Sequence, residues 1–508
     1  MASAIGNQRK STDKCSRFRA ALTNALGAAI GQPPGTGLRR TNSQKAQQDL
    51  IPAEVLKRLQ RSDTVCIVNP NHSNDVSDIE RQGITRSDIE EARQLLDRAR
   101  PLFTKLWPDD QTLKNWEGLI ESPLTPADNL RNAMGGTGTW LLKRDDDLPV
   151  AGSIKGRGAF FAVLEHAEKL AIDKGLIAKG QDLGNLCSPE AKAIFSDYKI
   201  AVGSTGNLGM GIALLAAALG FDAEVHLSEE AADWKKKRLT DHGCKVFEHD
   251  GNFKEALQKG RDDCAVANQT KPGSAYFVDD EDSKPLSVGP TVAGLRMKEQ
   301  LQRQGISIGA DRPLFVYIPT GVGGGPSGVL RGLVDAFQDE GLHKHVHGIL
   351  VQPKQCASVL ARMSIPDKGN RQSVDVYHLG LNNKSPRGDG MAVPQASELA
   401  FANLQVNAAG AMTVSDEDML KNTAHLHKRE GIIIETTAAA SINGPRWCTS
   451  EAGLDYIRKN GMEKAMPNAV HVMWFTGGGK VPEDTKAQIL HDAYQAIGEP
   501  QPAREEVA

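Results

Sequence analysis

No run of about 18 apolar residues occurs in the chain, so nothing in it reads as a membrane-spanning helix. Charge of one sign is missing too. Lys and Arg number 60 against 63 Asp and Glu, a net charge of -3, which gives no electrostatic reason to expect nucleic acid or an acidic membrane as partner. Cysteine is sparse: seven residues, an odd number, scattered at Cys15, Cys66, Cys187, Cys244, Cys264, Cys356 and Cys448 with no CxxC pair. That pattern is neither a zinc ligand set nor a disulfide framework, and it fits a reducing compartment. Internal repeats and low-complexity interior segments are absent as well. Glycine is what the chain has in excess, 50 residues with many in tight clusters. The 508 residues are enough for more than one core, since single domains usually run to about 100–200 residues.

Residues 1–50 stand apart: rich in Ser, Thr, Ala, Gly and basic residues, with Pro33-Pro34-Gly35 and little that can pack. They read as a disordered extension, with a mitochondrial presequence helix over 18–30 as the alternative. The tail after Glu499 reads as disordered too. A helical leader is expected over 84–119. From about residue 138, β-branched runs alternate with segments of helical period. Strands are expected at 139–143, 199–203, 224–227, 245–247, 314–318, 347–351 and 470–475. Helices are expected after Lys155, after Asn207, and at 232–242, 291–304, 327–338, 415–430 and 483–497. Alternation of this kind means an α/β fold of parallel sheets with helices on both faces, and ligands outside the carboxyl ends of the strands.

Three glycine loops fall at such strand ends. Gly203-Ser204-Thr205-Gly206-Asn207-Leu208-Gly209 lacks the GxGxxG spacing of a dinucleotide turn and the acidic residue that would hold a ribose, so a plain strand-to-helix turn remains open for it. Thr320-Gly321-Val322-Gly323-Gly324-Gly325-Pro326 lets successive amides converge ahead of a helix, which suits a phosphate; no Lys-Ser/Thr follows, so it is not a P-loop. Thr476-Gly477-Gly478-Gly479 places a hydroxyl at the end of the last strand. The decisive piece is Ala151-Gly152-Ser153-Ile154-Lys155-Gly156-Arg157-Gly158 ahead of an apolar-periodic helix. A lysine among small residues at a helix start, beside an arginine, is disfavoured as a cation, as an imine-forming lysine requires. A phosphate-bearing cofactor needs a lysine, a phosphate cradle and a group at its ring nitrogen, and the chain offers one candidate for each. His343, His345 and His347 invite a metal reading, against which stands an exposed loop entering a strand.

Taken together, LPVAGSIKGRG, AVGSTGNLG, VDDE with a downstream GPTVAG, PTGVGGGPSG, GDGMAV and FTGGGKVPE resemble the fold type II pyridoxal-phosphate enzymes, within them the bacterial-type D-serine dehydratases, over residues 51–497. The resemblance implies two open, twisted, mostly parallel sheets with flanking helices. A large domain from residues 52–195 and 287–498 would hold pyridoxal 5'-phosphate, and a small one, 196–286, would carry the STGN loop. It also implies that Lys155 holds the cofactor as a Schiff base and that Gly321, Gly323, Gly324 and Gly325 bind its phosphate. Asn207 would bind the phenolic oxygen, Thr476 would meet the ring nitrogen, and Ser204 and Thr205 would clamp the substrate carboxylate. Glu435 falls near the ring or a cation site in this family, where proline commonly follows and this chain has Thr436; Asp389 opens a segment bordering the site. The implied reaction is β-elimination of D-serine to pyruvate and ammonia, with a monovalent cation as a possible activator. No nucleic-acid or membrane partner is expected, and a cytoplasmic monomer or small homo-oligomer is. The alternatives are an L-serine/threonine dehydratase or β-replacement enzyme, a non-catalytic cofactor-binding protein, and a dehydrogenase that would leave Lys155 and the second glycine loop without a task.

Overall fold

The apolar runs pair into two sheets. In the larger, β1 (Cys66–Val68), β2 (Leu124–Pro126), β3 (Thr139–Arg144), β8 (Leu314–Pro319), β9 (Val346–Pro353), β10 (Ala408–Val414) and β11 (Val470–Phe475) lie in the order β1-β10-β9-β8-β11-β3-β2. Every interior pairing is parallel, and only the two short edge strands run antiparallel. In the smaller, β4 (Lys199–Gly203), β5 (Asp222–Ser228), β6 (Lys245–His249) and β7 (Ala275–Val278) are all parallel in the order β6-β5-β4-β7. Every residue of β8, β9, β10 and β11 is buried, the pattern of strands covered on both faces by helices. The computed structural model describes residues 37–204, 206–228, 233–249, 253–366 and 372–502, and Gln48–Ala508 clusters as one unit that contains both sheets.

Each expected strand is present, with one or two residues added at half of the ends. Four were not anticipated. β1 and β2 are three residues long, too short for a period, and β10 reads Ala-Ala-Gly-Ala-Met-Thr-Val, poor in the β-branched residues that mark a strand. β7 is four residues long with no alternation of buried and exposed positions. The expected leader is broken into helices Arg86–Arg98, Arg100–Leu106 and Gln111–Asn115. Thr85 and Asp88 form a capping box at the first, and Pro101, lacking an N–H, cannot continue its ladder. Within the segment expected as disordered extension, Gly37–Leu50 is helical, while the presequence helix expected over 18–30 lies outside the described residues. The histidine cluster is the loop entering a strand that the sequence suggests: His343–His345 form one 3-10 turn, and His347, 2% exposed inside β9, has its Nδ1 3.0 Å from Tyr456 Oη.

The two sheets share the helix Lys155–Asp173. Phe160, Phe161 and Leu164 on that helix join a core with Leu95 and Phe103 of the leader and with Ile212, Leu215 and Val225 around the smaller sheet. Two further clusters cover the faces of the larger sheet.

Candidate active site

Lys155 is placed by the segment that leaves β3. Val150 at φ +63° and Gly152 at φ +60° turn the chain back twice through the left-handed region, which a β-branched residue rarely adopts. Ser153 then forms a β-bridge to Gly477, and the Ser153 hydroxyl and Ile154 N–H both donate to Thr476 O, at 2.9 and 3.0 Å. The lysine therefore opens its helix directly beside the end of β11. Arg157 does not act on it as a bare cation, contrary to the sequence argument. Its guanidinium is buried and donates to Asp145 and Glu121 at 2.7 Å each, on the helix face away from a residue two positions earlier.

Those contacts belong to a buried ionic network. Lys143 Nζ donates to Glu121 at 2.7 Å and to Gln300 Oε1 at 2.9 Å, and Trp474 Nε1 donates to Asp145 at 2.8 Å. Burial opposes charge on Glu121, yet Arg157, Lys143 and Arg296 together hold its carboxyl well below the usual carboxylate range. The network ties the helix of Lys155 to β3 and β11, the strands on which the site is built.

After β8 the chain reaches Gly323 at φ +108°, and the helix Gly324–Gln338 follows with no side chain capping it. Its first amides and the positive end of its dipole make a cradle that suits a phosphate. After β4, Ser204 is buried, its N–H donating to His226 O and its Oγ accepting from Gly206 N–H at 3.2 Å; Thr205 lies outside the described residues. Asn207 begins the next helix, and its Nδ2 donates to Glu435 at 3.3 Å. Gly477 closes this corner. A Cβ there would lie 3.0 Å from Glu435 Oε2 and 3.1 Å from Asn207 Nδ2. Burial pushes the Glu435 carboxyl above the ordinary range, and the charge of Asp389 adds to this, against Lys235 and the Asn207 bond. Thr436, where the family commonly has proline, donates its hydroxyl to Arg387 O at 2.5 Å.

One cavity of about 460 Å³ collects these parts. Lys155, Ser204, Asn207, Gly321, Gly323, Gly324, Gly325, Thr476, Glu435 and Asp389 all line it. Sequence reasoning passed over Asp280, Lys235 and Tyr377, which line it too. Asp280 sits inside a quoted motif, VDDE, but single charges and exposed aromatics carry no period that would have marked the other two. Reachable lysine, uncapped helix start and neutral hydroxyl at the end of β11 fit pyridoxal phosphate. Among the described residues, no group of three or more His, Cys, Asp or Glu side chains is gathered for a metal ion.

Comparison with known proteins agrees with this geometry. A family profile described as "Pyridoxal-phosphate dependent enzyme" matches residues 116–450. A "Probable D-serine dehydratase" of Burkholderia lata is 38% identical over 454 residues, covering 88% of this chain and 97% of the relative. A "D-serine dehydratase" of Escherichia coli is 38% identical over 430 residues, covering 83% and 93%. Among solved structures, holo diaminopropionate ammonia lyase from Escherichia coli superposes with a TM-score of 0.65 at 18% identity, over 86% of this chain and 98% of that one. The same enzyme in complex with D-serine gives 0.64. These structures share the fold. With two thirds of its length inside the family profile and curated relatives matched nearly end to end, the chain belongs to the pyridoxal-phosphate dependent enzymes, in the D-serine dehydratase family.

Proposed function

We propose that the chain eliminates water from D-serine, releasing pyruvate and ammonia. The observation that carries this reading is the meeting, in one cavity, of Lys155, the uncapped helix start at Gly324 and the hydroxyl-bearing end of β11 at Thr476. Pyridoxal phosphate, when bound, supplies the electron-withdrawing ring that makes the substrate Cα–H acidic. Lys155 would hold the cofactor, and its amine, when free, would move protons at the substrate. The amides of Gly321, Gly323, Gly324 and Gly325 bind the phosphate. Asn207 binds the phenolic oxygen of the ring. Thr476 would present a neutral hydroxyl to the ring nitrogen, and a ring held that way would be a weaker electron sink, which would favour elimination over reactions that need a long-lived carbanion. Ser204 and Thr205 hold the substrate carboxylate. Residues 196–286, with the smaller sheet, act as the domain that closes over the substrate and excludes water.

A cytoplasmic location, a monomeric or small homo-oligomeric state and an activating monovalent cation complete the reading; the first is supported by the scattered, unpaired cysteines, the other two by resemblance. Chirality is tested directly. Pyruvate and ammonia are measured with each serine enantiomer, and D-serine is expected to be used with the higher kcat/KM. Preference for L-serine or L-threonine would replace this reading with the L-dehydratase one.

A further inference from the structure

Lys155 Nζ lies 3.4 Å from Asp280 Oδ1, and this is the one side-chain hydrogen bond that either group makes among the described residues. Asp280 stands on the loop that leaves β7 and lines the cavity, its side chain 16% exposed. Its neighbour, not Asp280, holds the loop. The Asp279 N–H donates to Ser283 Oγ at 2.8 Å, Glu281 N–H donates to Asp279 Oδ1 at 3.0 Å, and Arg261 Nε donates to Asp279 Oδ2 at 2.6 Å. The other carboxylates of the cavity are engaged elsewhere: Glu435 by Asn207, Asp389 by Thr437 and Glu281 by Arg261. Asp280 is thus the carboxylate whose partner is the lysine itself. Once Lys155 carries the cofactor, that partner is withdrawn, and Asp280 faces the space a substrate must enter.

We propose, on the D-serine reading above, that Asp280 is a further catalytic residue, relaying to the departing β-hydroxyl the proton it needs. Lys155, freed as an amine, accepts the proton from Cα, and the C–H electron pair becomes the Cα=Cβ bond. The Cβ–O bond breaks with its pair on oxygen. Asp280 takes a proton from the Lys155 ammonium and passes it to that oxygen, which leaves as water. Lys155 and Asp280 finish as amine and carboxylate, and nothing is oxidised or reduced. Hydroxide is a poor leaving group, so the relay acts at the step where an acid helps most.

The test compares D-serine with β-chloro-D-alanine, whose chloride leaves without a proton, in wild-type, Asp280→Asn and Asp280→Glu holoenzymes. Asp280→Asn is expected to slow pyruvate release from D-serine on the order of 10²-fold, and from β-chloro-D-alanine at least about tenfold less. Asp280→Glu, which keeps the acid, should restore part of the D-serine rate. D-alanine, which can displace Lys155 but has nothing to eliminate, should change the absorbance of the bound cofactor equally in wild type and Asp280→Asn. Equal slowing of both eliminations, or loss of the D-alanine response, overturns the relay and leaves Asp280 as a residue that shapes the site. An undiminished D-serine rate in Asp280→Asn overturns it outright. Wild-type enzyme that releases pyruvate from neither compound overturns the substrate reading as well, a failure visible before any variant is made.

Discussion

A side chain at Gly324 would meet only ordinary contacts, its Cβ 3.6 Å from Leu286 O and 3.7 Å from Ser287 Oγ. At Gly325 it would press to 3.3 Å on Ile154 Cδ1, next to Lys155, and at Gly323 the backbone at φ +108° excludes it. Gly324 therefore separates binding from folding. Gly324→Ala is expected to change the melting temperature of the cofactor-free protein little, since alanine favours a helix start at least as well as glycine. Cofactor dissociation should rise at least about tenfold, because the methyl group stands where the amides approach the phosphate. Cofactor affinity unchanged in Gly324→Ala would place the phosphate elsewhere. This is also the scale at which the sequence is most legible. Lys155 and the amides at Gly321, Gly323, Gly324 and Gly325 serve a chemistry that few other residue types can serve, so their local pattern carries meaning. Asp280 and Lys235 do their work through distant partners, and a single charge with a distant partner looks like any solvated one.

The elements are held by charges as well as by apolar packing, and this the sequence concealed. Glu121, Lys143, Asp145 and Arg157 are each no more than 4% exposed, although residues of these types are ordinarily at the surface. The network also fixes which member matters most. Lys143→Met would leave Glu121 and Asp145 facing Arg157 and Arg296, a balanced set. Glu121→Gln would leave the buried Lys143 and Arg157 with Asp145 alone, and Arg296 with only the 38% exposed Asp97, since Glu121 lies against all three cations. Glu121→Gln is expected to cost about 3–5 kcal/mol in denaturant unfolding, and Lys143→Met less than about half of that. The reverse order would show that the network is not balanced as described. Strands were legible where β-branched residues cluster, as in β8 and β11, and illegible in the alanine-rich β10. There burial between β1 and β9, rather than propensity, makes the strand.

The whole molecule stores a dependence on acid in its interior. Burial pushes His471 down to about 4 and His347 to about 3 from the ordinary 6.5, and both are nearly inaccessible at 3% and 2% exposure. Unfolded, each binds its proton near 6.5, so between there and pH 4 the unfolded chain holds more protons than the folded one. Stability is full above about pH 6.5 and falls as the pH drops, by about 2 kcal/mol per histidine at pH 5. Thermal unfolding at pH 7.5 and 5.0 should show the decline, with a smaller one in His471→Gln; equal melting temperatures at the two pH values would refute it.

The position of β11 bears on how the chain comes off the ribosome. It is the last strand made, yet it lies between β3 and β8, which are both complete long before it. Until residues 470–475 emerge, the larger sheet is in two pieces with a gap at its centre, and Ser153 has no Gly477 to pair with. A pause or early stop in the final stretch of the message therefore yields not a slightly shortened enzyme but two unjoined half-sheets with apolar edges bare, a substrate for chaperones and proteases.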